Sequence, residues 1–197
     1  MRLNFMYNFT QNYFKLAILG TFILLVFSGC SLKFGVPAAT MYEIYYSKKE
    51  CAIYDITRKN IYIESVSALD MVDTRQILVV AENNQIRYLK DAKFVSLPSE
   101  MIYKALVKGA YSNCHAKPIF APNPEDLRLK VSVISLQIRG DKAEVSLAYE
   151  LFNASKSIKS GMINKELFCP DPSSKMVFDT INNATNLAID ELLEQII

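Results

Sequence analysis

The stretch VDTRQILVVAENNQIRYLKDAKFVSLPSEMIYKALVKGAY, Val72–Tyr111, organises the chain. It reads as strand, tight turn, strand, short bridge and helix. Gln76–Val80 is a short apolar run rich in β-branched residues, which marks a buried strand. Glu82, Asn83 and Asn84 supply the turn, because Asn tolerates a positive φ better than other residues with a side chain. Gln85–Lys90 alternates polar and apolar, as a half-buried return strand does. Ser96 is the expected N-cap of the helix, Pro98 stands in its first turn, and Glu100 suits its positive end. Met101, Ile102, Ala105, Leu106 and Gly109 form the apolar face, and Glu100 and Lys104 are spaced to pair on the other.

Outward from this unit, the N-terminus carries a different signal. Residues 1–29 hold Arg2 and Lys15, no acid, and an apolar run, Leu16–Phe27. That run is too short for an ordinary spanning helix and suits the core of an export signal. Phe27-Ser28-Gly29-Cys30 follows it, and small residues directly before a Cys resemble the bacterial lipobox. The resemblance implies cleavage before Cys30 and lipid attachment at Cys30, with palmitate among the expected acyl groups. Phe27 departs from the usual Leu of that motif. Two or three acyl chains make a stable anchor, since each buried CH₂ contributes about 0.8 kcal/mol. Residues 30–40 then form a short tether, and 41–197 a single globular domain.

The chain has 22 Lys+Arg and 20 Asp+Glu. With Arg2 and Lys15 assigned to the signal, the remainder balances, which argues against a nucleic-acid partner. Three cysteines follow Cys30: Cys51, Cys114 and Cys169. Outside the cytoplasm two of them can pair, and spacing does not say which. His115 is the only histidine, and with no CxxC pair a zinc site is not expected. No catalytic residue, metal or cofactor is expected. No glycine-rich phosphate cradle is present, and the lone His has no neighbouring Ser or carboxylate of triad type.

Along the rest of the chain, Met41–Tyr46 and Asn60–Val66 read as strands, and Asn113–Glu125, with three prolines, as a loop. Leu127–Arg139 reads as a long strand whose apolar parity changes. Leu127, Leu129, Val131 and Val133 share one parity, while Ile134, Leu136 and Ile138 share the other. A strand cannot turn its face over without an inserted residue, so a β-bulge is predicted near Val133–Ile134. Gly140-Asp141 turns the chain, and Lys142–Phe152 returns with Ala143, Val145, Leu147, Tyr149 and Leu151 inward. A polar turn over Asn153–Gly161 and a last strand, Met162–Cys169, follow. Ser173 or Ser174 caps a helix whose stripe is Val177, Ile181, Ala184, Ala188, Leu192 and Ile196. These readings give an α+β fold (an α/β sandwich) with a mixed, mostly antiparallel sheet and two main helices packed on one face.

The order of these parts resembles a family. Cys30 in its lipobox is followed by a Tyr-containing first strand (Tyr42, Tyr45, Tyr46). Asp73-Thr74-Arg75-Gln76-Ile77 then leads into the hairpin, Ile86-Arg87-Tyr88 and Phe94 precede the helix, and a strand meander leads to the helix around Ala184–Leu192. Together they resemble the auxiliary lipoproteins of ABC-type transport systems, including the lipoprotein component of the paraquat-inducible MCE system. The family usually has Trp at the position of Phe94, and this chain has no Trp. The resemblance implies a periplasm-facing, lipid-anchored accessory subunit, not an enzyme. Its expected partners are a membrane, through acyl chains on Cys30, an MCE-domain protein bridging the periplasm, and an ABC permease/ATPase complex. Self-association stays open. The cargo it implies is lipid, and the membrane the outer one.

A lipoprotein that helps assemble an outer-membrane β-barrel is the competing reading. As a partner surface, the aromatics Tyr42 and Tyr45 and the loop tip Ile119-Phe120 are the candidates, weighed against ordinary packing.

Overall fold

The computed structural model describes residues 38–48 and 58–197. The expected export signal at 1–29, Cys30 with most of the expected tether, and Cys51 lie outside the described residues. Residues 38–197 form one compact unit. Its strands are β1 (Thr40–Tyr42), β2 (Lys59–Ile63), β3 (Ser67–Ala68), β4 (Gln76–Val80), β5 (Ile86–Phe94), β6 (Ala116–Ile119), β7 (Leu127–Arg139), β8 (Lys142–Asn153) and β9 (Lys156–Phe168). The helices are α1 (Pro98–Ser112), between β5 and β6, and α2 (Ser174–Ile196), after β9.

β7 is the spine of the sheet. One flank pairs antiparallel with β8 along its whole length, and β8 pairs antiparallel with β9. The other flank is shared by three short parallel partners, with β2 at Leu127–Leu129, β3 at Ser132–Val133 and β4 at Gln137–Arg139. β4 continues antiparallel to β5, and β1 and β6 lie parallel to β5 and β2 at the two ends of this path. The sheet is mixed, and its long ladders are antiparallel. The parity change in β7 is a bulge: register shifts between Val133 and Ser135. Leu129, Val131, Val133, Leu136 and Ile138 are thereby all buried.

The hairpin of β4 and β5 forms as read, with Asn84 at φ 61° in its turn. Several boundaries differ from the sequence reading. β2 ends at Ile63 instead of Val66, and a separate short strand, β3, follows it. β5 runs on to Phe94, because Ala92 and Phe94 face the core. β1 ends at Tyr42 instead of Tyr46. The supposed loop contains β6, in which Pro118 sits on the outermost strand of the path, where a missing N–H is tolerated. The turn after β8 is only two residues, Ala154 and Ser155, both in the left-handed region that matches strand twist. β9 therefore starts at Lys156, and most of it is exposed, so its strand carries no apolar alternation to read.

Both helices pack on one face of the sheet around a shared core. The predicted apolar residues of α1 and α2 are all buried. Gly109 of α1 meets α2 closely. A Cβ there would lie 2.9 Å from Ile189 Cγ2, 3.2 Å from Leu193 Cδ1 and 3.3 Å from Tyr46 Cε2. Ser96 does not cap α1. The N-cap position is Leu97, and the capping group is the carboxylate of Asp73, which accepts from Ser99 N–H and Ser99 Oγ at 3.0 Å each. Ser96 Oγ finds no partner among the described residues. Lys104 pairs with Glu43 at 3.4 Å, not with Glu100, since a cross-element partner competes with the helical one. The Asp73-Thr74-Arg75 motif is thus structural. Asp73 caps the helix, Thr74 Oγ1 accepts from Gln76 N–H, and Arg75 Nε donates to Phe94 O at 3.1 Å.

Candidate functional site

The four surface candidates do not form one surface. Tyr42 stacks on Phe178 of α2, with ring centroids 4.6 Å apart, and serves packing. Tyr45 is 54% exposed, while Ile44 and Tyr46 beside it are buried. Ile119 is half-buried at the end of β6, and Phe120 after it is 64% exposed. β1 and β6 end separate branches of the strand path, which leave one flank of β7 at Gln137–Arg139 and at Leu127–Leu129, so the tyrosine segment and the 119–120 pair belong to different parts of the sheet.

What holds Tyr45 in place is a set of residues that the sequence reading missed. Past Tyr42 the backbone leaves the sheet, and asparagines of α2 satisfy its polar groups. Tyr45 N–H donates to Asn182 Oδ1 at 2.9 Å, Ser47 N–H donates to Asn186 Oδ1 at 3.0 Å, and Asn186 Nδ2 donates to Tyr45 O at 2.8 Å. Both asparagines are buried, as is Thr185. Asn182 and Asn186, four apart on the core side of a helix, were the available signal, since buried amides require partners. One turn on, Tyr46 donates to Asp190 at 2.6 Å, and Lys48 pairs with Asp190 at 2.7 Å. Burial, then the bond to Asp190 and the charges of Asp190 and Glu194, push the Tyr46 hydroxyl well above the usual phenol range.

The end of the sheet at the β7–β8 turn is bordered by two cavities. Gly140, at φ 60°, and Asp141 make this turn, and a cavity lies against it on each side. One, of about 430 Å³, is polar and bounded by Glu82, Arg139, Lys142, Glu144 and Glu166. Its fixed centre is Glu144, which accepts from Arg139 Nε at 2.8 Å, Ser135 Oγ at 3.0 Å and Gln137 Nε2 at 3.1 Å. Burial raises the Glu144 carboxyl, but these three donors outweigh it and hold the group below the ordinary carboxylate range. The other cavity, about 390 Å³, lies between sheet and helix and is bounded by Val79, Leu89, Ile138, Phe168, Cys169 and Val177. Phe168 is 65% exposed, the most exposed large apolar side chain among the described residues.

Among the described residues, no cluster of three His, Cys, Asp or Glu is placed to hold a metal ion. His115 is exposed, its backbone N–H taken by Asn113 Oδ1. Cys114 is disulfide-bonded, and Cys169 is a buried free thiol whose Sγ lies 3.3 Å from Asp171 O. No helix of the described residues is long and apolar enough to cross a membrane.

A family model described as the ABC-type transport auxiliary lipoprotein component matches residues 53–196, which include both helices and all strands but β1. The chain belongs to this family. As a member it is the auxiliary lipoprotein of an ABC-type transport system, and that family is a transport component, not an enzyme family. Two solved structures share the fold of this auxiliary lipoprotein. A crystal structure of an uncharacterised protein is 12% identical, has a TM-score of 0.69, and overlaps 81% of this chain and 99% of its own. Protein XCC0632 from Xanthomonas campestris is 14% identical, with a TM-score of 0.66 over 78% of this chain and 92% of its own. No curated protein matches the sequence.

Proposed function

We propose that this auxiliary lipoprotein is held at a membrane by acyl chains on Cys30, faces the periplasm, and docks the MCE bridge of an ABC-type lipid transport system, at the outer membrane. The observation that carries the reading is the family match over 53–196. The Phe27-Ser28-Gly29-Cys30 motif supports the anchor.

Tagged full-length protein, crosslinked in cells, solubilised and captured, is compared with Cys30→Ala by mass spectrometry. The expected result is an MCE-domain protein or ABC permease in the wild-type sample, reduced or lost with the anchor mutant. Capture of a β-barrel without any transporter component would replace this reading with that of an outer-membrane assembly lipoprotein. Phe120→Asp locates the surface. At 64% exposure it leaves the fold intact, and undiminished capture removes the 119–120 tip as a contact.

A further inference from the structure

We propose that the β7–β8 turn end of the domain is its membrane-facing end, and that the apolar cavity there takes an acyl chain of a zwitterionic phospholipid. The inference rests on the lipid anchor at Cys30 and adds an orientation and a ligand to it.

Strand direction supplies the first argument. β1 runs parallel to β5 with Thr40 opposite Ala92, so the chain approaches from the β4–β5 turn side, with Ala38 level with Lys90 in the middle of β5. The start of α2 lies at the same level, because Ser174 Oγ donates to Asp91 at 2.6 Å. The cavity joins these two features: Leu89 of β5 and Val177 of α2 both bound it. The domain's attachment point and its apolar cavity therefore share one end.

Length supplies the second. Ala38 is eight residues beyond Cys30, a reach of about 26–29 Å at full extension. The 23 residues of α2 alone span about 35 Å along the domain. An anchor at Cys30 is thus shorter than the domain, and the end bearing Ala38 stays next to the bilayer.

Chemistry supplies the third. A wall of Leu89, Ile138, Val177 and Pro172 solvates a hydrocarbon chain, and 390 Å³ is ample for part of one, given that an apolar cavity of about 150 Å³ holds benzene. Phe168 stands exposed at the mouth, as an apolar residue that enters the head-group and acyl boundary does. Asp141 lines the cavity, and its carboxylate opposes an anionic head group. The ammonium of a zwitterionic lipid complements it.

The chain has no Trp, so a single introduced indole reports its own surroundings. Full-length acylated protein carrying Phe168→Trp, or Phe120→Trp on β6's side, is placed in nanodiscs of phosphatidylethanolamine and phosphatidylcholine with brominated acyl chains. The mass of the N-terminal peptide reports acylation in the same sample. For a side chain seated about 5–10 Å into the head-group and acyl boundary, the Phe168→Trp emission shifts to the blue and falls about twofold, while Phe120→Trp is unchanged. In unbrominated nanodiscs, replacing phosphatidylcholine by phosphatidylglycerol reduces the blue shift. Equal quenching of the two variants, or stronger quenching at 120, overturns the inference and leaves the anchor standing. A blue shift strengthened by phosphatidylglycerol overturns the zwitterionic assignment. Absence of acyl chains on Cys30 overturns the anchor and the inference with it.

Discussion

Gly109→Ala sets two known effects against each other. Replacing a helical Gly by Ala gains about 1 kcal/mol of helix propensity. Against that, the new Cβ lies 2.9 Å from Ile189 Cγ2, with Leu193 Cδ1 at 3.2 Å and Tyr46 Cε2 at 3.3 Å on other sides. None of the three yields easily. Ile189 is β-branched and held to one rotamer in its helix, Leu193 is buried, and Tyr46 is tied to Asp190. Overpacking of this kind costs about 1–3 kcal/mol, so the steric term wins and the variant is less stable by about 1 kcal/mol. Urea unfolding followed by circular dichroism reads this directly. With a slope of about 2 kcal/mol per molar for a domain of this size, the midpoint falls by about 0.5 M at unchanged slope. A midpoint equal to or above wild type would refute the reasoning, because it would mean that α1 and α2 do not approach as closely at Gly109 as described.

The buried asparagines carry a larger effect. Asn186→Ala strands Ser47 N–H and Tyr45 C=O, and is expected to lower stability by about 2–4 kcal/mol, seen as a lowered urea midpoint. Tyr46→Phe removes the bond to Asp190 at a cost of about 1–2 kcal/mol near neutrality. Because the folded-state hydroxyl titrates above its unfolded value of 10.0, wild type loses stability as pH rises past that value, and the Tyr46→Phe protein loses less over the same range in a pH series of melting curves. Glu144 behaves in the opposite sense. Its folded pKa is depressed below 4.5, so its contribution is present above that pH and fades as pH falls through the folded value. Glu144→Gln therefore destabilises at pH 7 and converges on wild type at strongly acid pH. A constant difference across the series would show that the carboxylate charge is not what Arg139, Gln137 and Ser135 hold.

The parts of the fold that the sequence made legible are those where one face is buried and the other wet. β7 and β8 alternate cleanly, and the bulge announced itself because Val133 and Leu136 both had to reach the core. The hairpin was readable from Asn84, and α2 from its stripe. What stayed hidden depended on partners far away in sequence. The cap of α1 is Asp73, 26 residues upstream, and local spacing favoured Ser96 instead. The strand pattern of Met41–Tyr46 was real, but side chains of α2 replace the ladder after Tyr42. β9 was shortened because its exposed strand has polar residues where alternation would show. Of the candidate site, Phe120 and Tyr45 were legible as exposed aromatics, whereas Phe168 and its cavity exist only once β5, β7, β9 and α2 converge.

The three-way sharing of β7 bears on the order in which the chain can become structured. β2, β3 and β4 are all made before the strand on which they align, and their pairings with it span roughly 60 residues of sequence. Until β7 arrives, β4 can pair with β5 and β2 with β6, but no strand joins these pairs into one sheet. By contrast β7, β8, β9 and α2 are consecutive, and the β7–β8 and β8–β9 ladders join neighbours in sequence. Local contacts form faster than distant ones, so the C-terminal half is the expected nucleus, and the N-terminal strands add to its open flank. A polypeptide released N-terminus first therefore stays incompletely packed through most of its synthesis and collapses late. That delay suits the proposed export, in which a chain is threaded through a membrane before it folds.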